Sequence, residues 1–422
     1  MPSTPHYLLT RPSLMRASDA LATALTRYAI PLIVLATTNS ASLTGVAFLL
    51  EWAPCLAAFT IGGPLVDRYR ADTVFKTANA ARAAATSAAA VLLTLLPADG
   101  TAATTVVLAL GATTGLLAQG SFVAAETLGA GISRQAGEHA HRVQGVQVSI
   151  DQGALLLGPL LVGVLLVGGA AWPLLALVAV LSIAAAASTI PPSLHATSPT
   201  GSVLKQLRTG WNTLRRGPAL TWLVIGLMAS NLAVGVAQAS VPITLVQDYA
   251  ANSLTVGLVW SGAGVLALGA VTLSLRAIDR HGLWPVGATA AATASTACFA
   301  AALAPRLAPY IAAIALLMAG EGALTVVLRT LRARLIPPAV FGSTLSVTIV
   351  LIALPMPTAG ALVALLPAPA LPALLLGCAA AQALTMALAF RGLWRHRDSY
   401  KATPEAEDRA FQRDNYAPVP AA

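Results

Sequence analysis

Apolar residues in this chain are gathered into twelve long runs, and polar residues fall largely between them. The runs lie near 14–37, 43–66, 73–96, 102–125, 143–167 and 172–190, then near 218–246, 254–275, 283–304, 308–328, 341–366 and 369–391. A helix rises ~1.5 Å per residue, so each run is long enough to cross a hydrocarbon core of ~30 Å. The pattern predicts an all-α polytopic membrane protein with twelve transmembrane helices. Pro191 to Gly217 is the longest polar stretch between runs and carries Lys205, Arg208, Arg215 and Arg216. It divides the chain into six plus six: residues 1–190, a linker at 191–217, residues 218–395, and a charged, Pro-containing tail at 396–422.

Composition removes the soluble alternatives. The chain is 57% hydrophobic and 10% charged, with a mean hydropathy of +0.75, far from a soluble domain's balance. A net charge of +9 in a soluble protein suggests nucleic acid. Here the basic residues sit in short loops beside apolar runs, so they set orientation in a lipid bilayer, and no nucleic-acid partner is expected. With the N-terminus inside, the cytoplasmic loops and both termini receive nearly all of the Lys and Arg. The external loops receive only Arg306, while Arg27 and Arg82 fall within spans. No cleavable signal is expected, because the first apolar run is too long for one.

Cys55, Cys298 and Cys378 are isolated in apolar runs, with neither metal spacing nor a paired framework. There are six His, no HExxH-type cluster, and no Gly-rich phosphate loop ending in Lys-Ser/Thr. An enzyme, a metal site and a cofactor are therefore not expected, nor is direct use of ATP.

The most distinctive polar segment is Gly62-Gly63-Pro64-Leu65-Val66-Asp67-Arg68-Tyr69-Arg70-Ala71-Asp72, read as a charged hairpin between the second and third spans. It resembles the Gly-x-Leu-x-Asp-Arg-Phe/Tyr signature of the major facilitator superfamily, although the family's following Gly-Arg-Arg/Lys reads Arg70-Ala71-Asp72 here. Asp279-Arg280 sits at the equivalent point of the second half, as internal duplication predicts. In the fifth span, Gly153, Gly158, Pro159 and Gly163 resemble the helix-5 motif of antiporting members, and physically they give a kinked, close-packing face.

The first hundred residues are similar to bacterial siderophore and macrolide exporters, through an acidic residue early in span 1 (Asp19), a Ser-Ala turn and Pro54. The resemblance implies two six-helix bundles around a midplane cavity. It implies a monomer in a bacterial inner membrane, exporting a small organic molecule in exchange for protons. Uptake of a metal–siderophore complex or other small polar solute is the alternative.

Charges inside spans are costly, so each is a candidate site residue. Arg27 lies about ten residues from the outer end of span 1 and Glu51 about eight from that of span 2, so the two are expected to meet near mid-membrane. Proton coupling needs a carboxyl group that is protonated in one state and ionised in the other. Asp19 ranks first, because its only basic neighbour is Arg16, which is expected to reach the cytoplasm. Asp151 and Glu321 rank next, and Glu51 last because Arg27 compensates it. Arg27, Glu51, Gln119 and Gln238 are the expected substrate-cavity residues. Aromatic residues make up only 5% of the chain, which suits a polar, anionic ligand better than a greasy cation. Gly63, Asp67, Arg68, Asp279 and Arg280 are the expected gating residues.

Overall fold

The computed structural model describes residues 6–97, 100–136, 140–188, 203–336 and 340–396; some helical side chains, those of 6–12, 59–68 and 140–145 among them, fall outside that description. Among the described residues the secondary structure is entirely helical. The first half contains α1 (His6–Thr38), α2 (Ala41–Tyr69), α3 (Ala71–Leu95), α4 (Thr101–Ala136), α5 (Ala140–Leu165) and α6 (Trp172–Ala186). After α7 (Val203–Arg216) come α8 (Pro218–Ile243), α9 (Ser253–His281), α10 (Leu283–Ala302) and α11 (Leu307–Leu335). Then follow α12 (Phe341–Ala353), α13 (Pro355–Leu365) and α14 (Leu371–Arg395). Among the described residues, eight helical stretches are long and apolar enough to cross a membrane, and three shorter apolar ones lie in α2, α5 and α6.

Several helices exceed their apolar runs. α1 begins eight residues before the first run does, and α4 continues past its run to Ala136, so a loop expected at 129–142 is mostly helix. Loss of apolar character marks the lipid boundary and not the end of backbone hydrogen bonding, and the extensions run on through Pro12 in α1 and through Gly129 and Gly131 in α4. The polar linker at 191–217 contains α7. The eleventh run divides into α12 and α13 at Pro355, which cannot donate a backbone hydrogen bond. α8 ends in a π-helical turn at Thr244–Asp248.

The expected charged hairpin is also corrected. α2 runs through the motif to Tyr69, and the link to α3 is the single residue Arg70, with φ 69° and ψ 139°. Asp279 and Arg280 likewise lie in the last turn of α9, exposed, and the link to α10 is the single residue Gly282, with φ 85° and ψ 171°. Asp67 precedes Arg70 by the same interval as Asp279 precedes Gly282, so the two halves repeat the turn in register. The side chains of Gly63, Asp67 and Arg68 lie outside the described residues.

Arg70 therefore occupies a backbone region that suits only glycine, at a cost of about 1–3 kcal/mol. Its ion pair with Asp72 (Nε to Oδ1, 3.1 Å) is half-exposed and contributes about 0–1 kcal/mol. Arg70→Gly is accordingly expected to raise the thermal midpoint of the purified protein. A lowered midpoint would show that the ion pair outweighs the strain.

The chain's up-and-down course gives two faces. The proximal face holds Arg70, Gly217 and Gly282; the distal face holds the α1–α2 turn at Asn39 and the turns at 166–171 and 249–252. Contacts between the halves concentrate at the distal face. Gly45 and Leu49 of α2 lie against Gly360 and Ala364 of α13, close enough that a Cβ on Gly45 would stand 2.4 Å from Ala364 N. Gly163 of α5 lies against Leu254 and Gly257 of α9, and a Cβ on Gly257 would stand 2.4 Å from Pro159 O.

Side-chain hydrogen bonds also join the halves there. Ser42 Oγ donates to Ala364 O (2.5 Å), Gln247 Nε2 to Asn39 O (2.7 Å), and Ser253 Oγ to Gly163 O (3.2 Å). The apolar clusters agree. Leu35, Ala41 and Phe48 pack with Ile243, Val363 and Leu371 at the distal end. At the proximal end each half keeps its own cluster, around Phe75 and Leu128 in the first and around Leu220, Leu328 and Phe390 in the second. Among the described residues, the halves are sealed distally and separate proximally.

Candidate functional site

Arg16, Asp19, Thr23 and Arg27 recur at intervals of three and four along α1, which places them on one helical face. Partners reach that face from α2, α3, α4, α5 and α6. Three charged centres result, and they differ in how completely their hydrogen bonds are met.

The most buried is Asp19 with Arg82 of α3. Arg82 is fully buried and Asp19 is 5% exposed. Arg82 Nη2 donates to Asp19 Oδ1 (2.7 Å), Nε to Ser182 Oγ of α6 (2.9 Å) and Nη1 to Thr23 Oγ1 (2.8 Å). Nη2 also donates to Asn79 Oδ1. All three guanidinium nitrogens are engaged, and the ion pair pins α1, α3 and α6 together. Asp19 was expected to lack a basic partner, and that expectation is overturned. The clue lay in the sequence: Arg82 and Asp19 are opposite charges inside spans, and burying either alone is far costlier than burying the pair.

Arg16 does not reach water as expected; it is 5% exposed. Its Nε and Nη2 hold Asp151 of α5 in a fork (2.9 and 2.6 Å), and Nη2 also reaches Glu126 of α4 at 2.6 Å. Its carbon CZ lies 5.6 Å from the Phe122 ring centroid. Two carboxylates on other helices retain the guanidinium that snorkelling was expected to remove. Asp151 is thereby tied to α1 near the proximal end.

Arg27 and Glu51 do meet, but loosely. Arg27 Nε lies 3.6 Å from Glu51 Oε1, beyond hydrogen-bond reach, with the side chains 30% and 7% exposed. Arg27 also stacks on Trp52, CZ to ring centroid 4.6 Å. Arg27 Nε, Glu51 Oε2, Trp52 Nε1 and the nearby Gln119 Nε2 are buried without a partner. Gln119 stands one turn proximal of Gly115, which packs on the Glu51 carbonyl. Both Arg27 and Glu51 lie about 15 Å from the distal ends of their helices, directly beneath the Gly45–Gly360 contact. The Asp19–Arg82 pair has every guanidinium nitrogen engaged and braces, and the Arg16 centre leaves one, Nη1, without a partner. The Arg27–Glu51 group, by contrast, leaves three donors and one acceptor and is equipped to meet a ligand.

Among the described residues, the second half supplies a partly buried acid deep within a span. Glu321 lies midway along α11, where Oε2 accepts from Ser230 Oγ of α8 and Oε1 from Gln382 Nε2 of α14, each at 2.5 Å. Ser230 and Gln382 are buried. Among the described residues, no ion pair includes Glu321. Its cradle is chemically reversible. The Ser230 hydroxyl can donate to a carboxylate or accept from a carboxylic acid, and Gln382 has an unpartnered Oε1 that an amide rotation presents to the acid.

The remaining candidates separate by contact. Gly158 packs on Ala24 of α1 and Gly163 on α9, whereas a Cβ on Gly153 would meet nothing within 4 Å. Gly153 thus takes no part in the packing expected of that motif. Gln238 is half-buried on α8.

A helical protein whose halves are sealed at one face, with charged centres buried between its helices, is a multi-pass membrane protein of transporter architecture. The chain belongs to the Major Facilitator Superfamily, whose family model matches residues 13–360. It is therefore a transport protein and not an enzyme. Among curated proteins, none matches the sequence.

Its fold is similar to an inward-facing bacterial homologue of the iron transporter ferroportin (TM-score 0.73, 16% identity, covering 92% of this chain and 99% of that one). It is also similar to the nucleoside transporter NupG (TM-score 0.71, 11% identity, 91% and 100% covered). A third likeness is to the inward-open xylose transporter XylE from E. coli (TM-score 0.67, 13% identity, 90% and 95% covered). At these identities the likeness is one of fold.

Proposed function

We propose that this protein exports a small, polar organic molecule, of siderophore or drug-like type, across a bacterial inner membrane in exchange for protons. In this reading twelve spans form two six-helix bundles, residues 1–190 and 218–395, and the protein works as a monomer. Both termini and the proximal face are cytoplasmic, as the distribution of Lys and Arg supports. Substrate enters from the proximal side and meets Arg27, Glu51 and Gln119, with Gln238 facing them from the second half. Asp67–Arg68 and Asp279–Arg280, at the proximal helix ends, latch that side when it closes.

The observation that carries the coupling is the Glu321 cradle. A carboxyl group held by two neutral, reversible partners can exist in either protonation state without a counter-charge. Asp19 and Asp151, each committed to an arginine, are braces in this reading.

Everted vesicles from cells producing the protein test the direction. Energised vesicles given a mixture of organic acids are expected to accumulate a subset of them, several-fold over vesicles lacking the protein, and an uncoupler is expected to abolish the gain. Accumulation confined to right-side-out vesicles would make the protein an uptake permease instead.

A further inference from the structure

The linker helix α7 has a face that the transport reading leaves unused. Its C-terminal end is fixed at the membrane boundary, since Gly217 alone separates Arg216 from Pro218, the first residue of the membrane-crossing stretch Pro218–Asp248. Thr221 Oγ1 of α8 reinforces the junction by donating to Leu214 O (2.7 Å). α7 packs on α12, and Leu214, 5% exposed, joins the proximal cluster of the second half with Leu220 and Leu331.

The exposed flank beside this packed face carries Arg208, Trp211 and Arg215 at intervals of three and four, with Arg216 also exposed. Trp211 is 45% exposed. Among the described residues, none of the three arginines is in an ion pair. An exposed basic stripe interrupted by an indole, one residue from a spanning helix, matches the headgroup layer, where Trp is favoured and Arg meets phosphate.

We propose that this face of α7 binds anionic phospholipid headgroups of the adjoining leaflet and ties the second half to it. That the leaflet is the cytoplasmic one rests on the orientation proposed above; the binding does not.

The test uses the full chain in detergent micelles, titrated with dioctanoylphosphatidylglycerol or dioctanoylphosphatidylcholine. The readout is the emission owed to Trp211, taken by difference from Trp211→Phe. Half-saturation by the anionic lipid is expected at a roughly tenfold lower concentration than by the zwitterionic one, with the advantage lost at high salt. Arg208→Gln with Arg215→Gln removes the advantage, and Arg208→Lys with Arg215→Lys keeps most of it. Equal response to both lipids overturns the proposal, as does an advantage that survives the Gln pair. Inorganic phosphate reproducing the full effect would make the face a free-anion site and overturn it equally. Because no transport is measured, failure here leaves the export reading untouched, and the reverse also holds.

Discussion

Gly257→Leu is expected to hold the protein open at its distal face and to stop transport while leaving it folded and inserted. The Gly257 position on α9 has no room: a Cβ would stand 2.4 Å from Pro159 O and 3.1 Å from Gly163 Cα, both backbone atoms that cannot swing away. Overpacking costs about 1–3 kcal/mol, charged only to the state in which α5 and α9 touch. A penalty of that size moves a two-state equilibrium by roughly 5- to 150-fold.

Asn39 and Gln247, hydrogen-bonded across the distal seal, report the shift when both are changed to Cys and linked by a short bifunctional reagent. The three native cysteines are buried. Cross-linking in the Gly257→Leu protein is expected to fall, by no more than that same factor. Gly262→Leu lies on the same helix, where a Cβ would meet nothing within 4 Å, and is expected to cross-link normally. Equal cross-linking in the two proteins would mean that the α5–α9 contact does not control the seal.

Much of this arrangement was legible because membrane burial constrains sequence so tightly. A long apolar run has one economical structure in lipid, a helix, so the all-helical, multi-pass class followed from hydropathy. The meeting of Arg27 with Glu51 followed from depth along adjacent helices. Pairings between helices distant in sequence were legible only as a set of opposite charges inside spans, not as a choice among them. Asp19 and Arg82 are separated by 63 positions, and nothing local says that α3 and α6 both pack on α1.

Helix ends misled for a different reason. Hydropathy marks where lipid stops, whereas helices stop where capping or backbone chemistry demands. Thus α2 runs straight through a charged motif and reverses at Arg70 alone. The polar linker's helix α7 was hidden because its alternation of Leu with Arg is amphipathic rather than apolar. A period of 3.6 residues, not mean hydropathy, was the signal for it.

Asp19, ranked first for proton coupling, and Glu321, ranked next with Asp151, are expected to give opposite results when neutralised. Asp19→Asn leaves Arg82 buried without its counter-charge, and breaking a buried pair in this way costs about 3–5 kcal/mol. The expected outcome is a less stable protein, with a lowered thermal midpoint and reduced yield. What does insert should still couple transport to the proton gradient.

Glu321→Gln replaces a carboxyl held by Ser230 and Gln382 with an amide of the same shape, which those neutral partners also satisfy. Its stability is expected to change little. Its gradient-driven flux, for any compound the vesicle assay identifies, is expected to fall to background, because the amide takes up no proton. Exchange of labelled for unlabelled compound at zero gradient needs no net proton movement and is expected to persist. Driven flux and exchange, measured side by side in proteoliposomes, separate the roles. Asp19→Asn lowers both in proportion to folded protein, whereas Glu321→Gln abolishes the first and spares the second. Full driven flux in Glu321→Gln would move the coupling to another acid, and loss of driven flux alone in Asp19→Asn would return it to Asp19.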